Sequence, residues 1–167
     1  METTDRAKHV PPRQGNSLWV AGELVTLKVL GEDTDGAFTL LEEVTPPQGG
    51  PPPHIHHRED EAFYVLEGEL EFLVDDRTIP ATAGSVAYGP RNILHAFKNV
   101  GTTPSRMLVF VAPAGLEKFF EEVGELASDL SSPPPFGPPE IERLLAAAPK
   151  YGQEIPAPRA IAQAKRR

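Results

Sequence analysis

The chain has 167 residues, a net charge of -8 and no cysteine. That length predicts one domain with tails, the acidic balance repels nucleic acid backbones, and the missing thiols exclude disulfides, thiolate metal clusters and a cysteine nucleophile. The amino terminus lacks the apolar stretch of a signal peptide and no run is long enough to span a bilayer, so a soluble, cytoplasmic protein is the expectation.

Taken in chain order, residues 1–16 are polar, contain Pro11 and Pro12, and read as a flexible arm; His9 within it is not counted as a ligand. Residues 17–113 are a succession of short β-rich segments: "SLWVA", "LVTLKVL", "AFTLLEEV", "HIH", "AFYVLEG", "ELEFLV", "RTIPATA", "SVAYG", "HAFKNV" and "RMLVFVA". Turn signals such as "GEDTDG", "VDD" and "NVGTTP" separate them, with Gly68 and Gly84 as turn glycines. Spacing this close predicts antiparallel pairing in a sandwich or barrel, because parallel neighbours need longer crossovers. Residues 114–148 change character. "GLEKFFEEVGELASDL" places Leu116, Phe119, Phe120, Val123 and Leu126 at helical spacing, "SSPPPFGPP" reads as a stiff linker, and "PEIERLLAAA" predicts a second, shorter helix opened by Pro139 and Glu140. Residues 149–167 read as an extended or frayed tail ending in "AKRR", a solvated basic cluster rather than a nucleic acid patch.

The chemistry concentrates in "PPPHIHHREDEAFYVLEG". His54 and His56 are two apart, so on a strand both imidazoles leave one face while His57 leaves the other. Glu61 opens an apolar strand on which Phe63 and Val65 share its face, and a carboxylate there is costly unless something positive pairs with it. "GSVAYGPRNILHAFKN" adds His95 after a turn, and strands distant in sequence converge inside a barrel. Alone, "HIHHRED" fits a solvated charged turn equally well; four of the five histidines falling in these two segments is what favours a metal site.

In this order and spacing, His54-x-His56-x4-Glu61-x6-Gly68 and Gly84-x5-Pro90-x-Asn92-x2-His95-x3-Asn99 resemble the two sequence motifs of the cupin superfamily. The first motif departs in having Gln48 where a glycine is usual, and the second has Asn92 in place of a glycine, a substitution asparagine tolerates because it enters left-handed backbone conformations. The resemblance implies an all-β fold, a jelly-roll β-barrel with one or two C-terminal helices, and His54, His56, Glu61 and His95 as metal ligands. Asp60 is the alternative carboxylate, disfavoured because strand parity turns it away from Phe63 and Val65.

Imidazoles and a carboxylate without thiolate suit one divalent transition metal, Fe, Mn, Ni, Co, Cu or Zn, and affinity does not choose among them. The longer stretch is similar to small single-domain bacterial cupins described as quercetin-dioxygenase-like. That likeness implies dioxygenation of a small enol, flavonol or catechol-like substrate, with dioxygen as partner and Glu61 as ligand and proton acceptor. Phe63, Tyr88 and Phe97 are the candidate substrate contacts, with Val65, Phe72 and Phe110 as further lining and barrel core as the competing role of each. A metal-dependent isomerase, cyclase or decarboxylase and a non-catalytic binding barrel are the alternatives. A homodimer is expected, with "SLWVAGELVTLKVL" as its interface and Trp19 as an anchor.

Overall fold

The computed structural model describes residues 7–157; the "AKRR" cluster lies outside them. The first strands are β1 (Asn16–Val20), β2 (Glu23–Val29) and β3 (Thr39–Thr45), followed by the short β4 (Ile55–His56) and the long β5 (Asp60–Glu67). Then come β6 (Glu69–Val74), β7 (Arg77–Thr82), β8 (Val86–Gly89), β9 (His95–Asn99) and β10 (Ser105–Ala112). Helix α1 (Glu117–Val123), β11 (Glu125–Leu126), α2 (Pro138–Ala147) and β12 (Gln153–Glu154) complete the order. One sheet runs β11-β1-β2-β3-β10-β5-β8, a second runs β7-β6-β9, and β12 pairs with β4. Every ladder is antiparallel, as the short connections demand. Placing β10 between β3 and β5 is the long crossover of a jelly roll.

Alternation decides what faces inward. On β3, Thr39, Leu41, Glu43 and Thr45 are buried; on β5, Glu61, Phe63 and Val65; on β10, Ser105, Met107, Val109 and Val111. Leu70, Phe72 and Phe97 of the second sheet close over them. Removing side chains of this size from water stabilises the fold by roughly 1.5–3 kcal/mol each.

The ends of the chain depart from expectation. Helix α1 stops at Val123 because Gly124 is extended and lies against Leu18; a side chain there would start 3.0 Å from the Leu18 Cβ and 2.7 Å from the Phe120 carbonyl oxygen. Leu126, at helical spacing in the sequence, instead lies on β11 opposite Leu18 and is 73% exposed. Helix α2 is the longer of the two, ten residues against seven, with Glu140 Oε2 accepting from the Gly137 N–H at 2.9 Å. The arm is not loose over its described part: Lys8 pairs with Asp33, and Lys28 Nζ donates to the Gln14 carbonyl at 2.8 Å.

The expected dimer interface is also occupied by the chain itself. β11 pairs with the edge of β1, and the Trp19 indole N–H donates to the Asp129 carbonyl at 3.1 Å. At the far end of the same sheet, Tyr64, Val86, Tyr88 and Phe110 are exposed on β5, β8 and β10. No helix among the described residues is long and apolar enough to cross a membrane.

Candidate metal centre

His54 and His95 face each other across an antiparallel bridge, with His54 N–H donating to the His95 carbonyl at 3.0 Å and His95 N–H to the His54 carbonyl at 2.9 Å. His56 follows on β4, whose free side is taken by β12 in the register His56 opposite Gln153. The described part of the segment expected to be extended or frayed is thus extended and serves as a strap on the ligand-bearing strand, tied further by the His57 N–H to the Gly152 carbonyl at 2.8 Å. Asn92 turns the chain towards His95 with φ 64°, the left-handed conformation its sequence position requires, and its N–H donates to the His56 carbonyl at 2.7 Å.

Glu61 comes in from β5, opposite Gly89 on β8. Gly89 matters here because a Cβ would stand 3.2 Å from the His95 ring, so the smallest residue makes room for an imidazole. Both His56 Nε2, at 3.2 Å, and His95 Nε2, at 2.8 Å, reach Glu61 Oε2. One ligand atom from each of His54, His56, Glu61 and His95 lies within 4.8 Å of the others, and all but His54, which is half-buried, are sealed from solvent.

The orientation of the rings follows from their other nitrogens. His54 Nδ1 lies 2.9 Å from the Pro52 carbonyl and His95 Nδ1 3.0 Å from that of Ile93, each an acceptor for an Nδ1–H that leaves Nε2 free to bind. Burial, reinforced by His56 and His95, drops the His54 pKa to about 3, so this imidazole is neutral. For His56, burial opposes the charge but Glu61 and Glu59 outweigh it and raise the pKa to about 9. Glu61 balances the same way: burial would raise it, yet His56 and His95 hold it well below the usual carboxylate range. A buried anion that recruits a proton onto its neighbour is a site built for positive charge, and neutral or deprotonated N/O donors fit a divalent transition metal.

Asp60 points out of the barrel. Its carboxylate takes Arg91 Nη2 at 2.7 Å and the Arg91 N–H at 2.8 Å, and that contact lowers its pKa to about 2. Tyr88 is a correction: it alternates with the buried Ala87 and Gly89, is 55% exposed, and does not line the interior; Phe110 faces outward likewise, stacked on Phe38. Phe63 and Phe97 are inside, packed with Phe72 at ring separations of 5.1 to 6.0 Å, and Phe63 also meets the edge of His95 at 6.3 Å. They form the floor under the imidazoles.

Among the buried acids that escaped the sequence reading, two groups lie beside the imidazoles or on the barrel's inner face. Glu59, read as part of a charged turn, is 3% exposed with Oε2 3.6 Å from His56 Nδ1; its two-residue spacing from Glu61 was the available signal. Glu23 and Glu43 are buried side by side on the inner face of β2 and β3, and the alternation of Leu41 with Glu43 would have exposed one of them.

Residues 41–111 match the family model described as the cupin domain. Over that stretch the chain is similar to a cupin domain. Over 60 residues the chain is 37% identical to the polyketide synthase CurC of Streptomyces cyaneus, a match covering 36% of this chain and 39% of the relative. Over 67 residues it is 42% identical to germin-like protein subfamily 2 member 2 of Arabidopsis thaliana, covering 37% and 31%. The match therefore spans only about a third of the length of these two curated relatives. KdgF from Halomonas sp. shares the chain's fold, with TM-score 0.60, 14% identity and coverage of 67% of this chain and 98% of that one. A predicted oxalate decarboxylase from Thermotoga maritima does too, at TM-score 0.56, 23% identity and coverage of 64% and 99%.

Proposed function

We propose that this protein is a metal-dependent cupin enzyme and, more finely, a dioxygenase that acts on a small enol, flavonol or catechol-like substrate. The observation that carries the reading is the convergence of three imidazoles on Glu61 within 4.8 Å, with His54 and His95 steered by their Nδ1 contacts. His54, His56, Glu61 and His95 would hold the ion. A divalent metal bound there supplies a Lewis acid that lowers the pKa of a substrate hydroxyl.

The chain does the rest. Glu61 is engaged by both imidazoles through Oε2, and Oε1 is the oxygen assigned to accept the substrate proton. Approach is from the half-buried His54 side, while Phe63 and Phe97 keep water from beneath the site. A second reading is a non-oxidative isomerase, cyclase or decarboxylase with the same four ligands, for which a bound metal would serve as Lewis acid without dioxygen. A homodimer belongs to the proposal as well, closed through Tyr64, Val86, Tyr88 and Phe110.

Metal analysis of the purified protein and of a His54→Ala/His95→Ala variant tests the centre. Near one transition metal per chain, lost in the variant, supports it; a wild type that takes up no iron, nickel, cobalt or manganese overturns it. An oxygen electrode with flavonols and catechols then separates the readings. Uptake of dioxygen with substrate supports the dioxygenase, and turnover of an enol substrate without uptake favours the second class. Mass in solution of wild type against Tyr88→Glu tests the dimer.

A further inference from the structure

The three imidazoles are not anchored alike. His54 and His95 each turn Nδ1 to a main-chain carbonyl, a neutral acceptor fixed by the backbone. His56 has no such carbonyl. Its Nδ1 is buried without a hydrogen-bond partner, and the acceptor it faces is Glu59 Oε2 at 3.6 Å. That oxygen is itself buried with no hydrogen bond, and the two side chains are 3% and 4% exposed.

A donor and an acceptor left unsatisfied in a dry interior cost roughly 1–3 kcal/mol each. Here they face one another across a gap only about half an ångström beyond a normal hydrogen bond. Among the described residues Glu59 Oε2 has no hydrogen-bond partner, so this oxygen is available to His56. Asp60, next in the chain, is outside and paired with Arg91, and Glu61 meets His56 through Nε2, so Glu59 is the carboxylate that faces Nδ1.

We propose that Glu59 is a positioning residue for His56: it accepts the Nδ1–H when Nε2 is committed to a divalent metal, fixing that ring's tautomer and orientation. The inference rests on the metal-site reading above. A carboxyl oxygen accepting from Nδ1 fixes the ring and makes the imidazole a stronger donor than an unpartnered Nδ1 does. His56 is in this sense the ligand held by a side chain, and His54 and His95 are the ones held by the backbone.

The test is Co2+ affinity by chelator competition, with the visible spectrum of the bound ion, for wild type, Glu59→Gln and Glu59→Asp. Expected are a 10–100-fold weaker affinity and an altered spectrum for Glu59→Gln, and a smaller loss for Glu59→Asp. Wild-type affinity and spectrum in Glu59→Gln would overturn the positioning role. A loss of affinity with a bound-ion spectrum identical to that of wild type would also overturn it, assigning Glu59 to the fold. Should Glu59→Gln fail to fold, unchanged affinity in Glu59→Asp would be equally fatal. A wild type that binds no Co2+ removes the metal reading itself.

Discussion

Among the buried carboxylates, Glu61 on one side and the pair Glu23 and Glu43 on the other have their protonation pushed in opposite directions. Glu61 and the pair Glu23 and Glu43 are similarly shielded, at 5%, 5% and 7% exposure. Glu61 stays ionised because two imidazoles reach it. For Glu23 burial is the largest influence and raises its pKa to about 7, with Glu43 and Thr45 opposing; Glu43 is raised too, by burial, by Glu23 and by Glu61. Glu23 Oε1 and Thr45 Oγ1 also lack hydrogen-bond partners. Depth alone therefore does not set the charge of an interior acid; the sign and reach of its neighbours do.

Removing the Glu61 anion should have the largest effect. Glu61→Gln leaves His56 as a buried cation without its main partner, an omission that costs about 3–5 kcal/mol when a buried pair is broken. Metal uptake should be lost in the same variant, and urea unfolding of the metal-free protein at pH 7 checks the stability change. Retained uptake would show that Glu61 is not needed to hold the ion.

Neutralising the pair Glu23 and Glu43 should do the reverse. A carboxyl whose folded pKa is raised gives its full stabilisation below the unfolded value of 4.5, and loses it as pH rises through about 7, because the folded state then binds more protons than the unfolded one. For Glu23 the loss across that window is on the order of 3 kcal/mol. His56, raised from 6.5 to about 9, adds a further loss over that higher range in the metal-free protein. Glu23→Gln should flatten the stability profile between pH 4.5 and 7 and raise stability at neutral pH, and Glu43→Gln should act in the same direction. A Glu23→Gln profile parallel to wild type would mean that the pair already has a counter-charge.

The contrast also separates what could be read in the sequence from what could not. The ten barrel strands and the inward parity of Glu61, Phe63 and Val65 were legible because each rests on a two-residue alternation within one segment. The grouping of His54, His56 and His95 was legible through the family motifs, since composition and spacing alone also allowed a charged turn. What escaped depended on partners distant in the chain. β11 and β12 are two-residue strands that exist because β1 and β4 offer free edges, and α1 ends early because Gly124 packs against Leu18. Tyr88 was misplaced for a nearer reason: it stood among the lining residues on its apolar character alone, whereas its alternation with Ala87 and Gly89 turns it outward. Glu59, Glu23 and Glu43 were missed because charged residues are so seldom buried unpaired.

Asp60 gives the smallest effect and the sharpest control on the parity argument. It is adjacent to Glu61 and carries the same charge, but it faces solvent and pairs with Arg91 at 2.7 Å. An exposed ion pair contributes at most about 1 kcal/mol, because water screens the charges in both states. Asp60→Asn should therefore change metal affinity less than twofold and stability by no more than that amount, with the small difference fading at high salt. If Asp60→Asn lost metal as completely as Glu61→Gln does, the register of β5 would have to slip by one residue, exchanging the inward set of Glu61, Phe63 and Val65 for Asp60, Ala62 and Tyr64. Such a slip would bury Tyr64 and expose Phe63, so the fluorescence and solvent accessibility of Tyr64 distinguish a shifted strand from a shared ligand role.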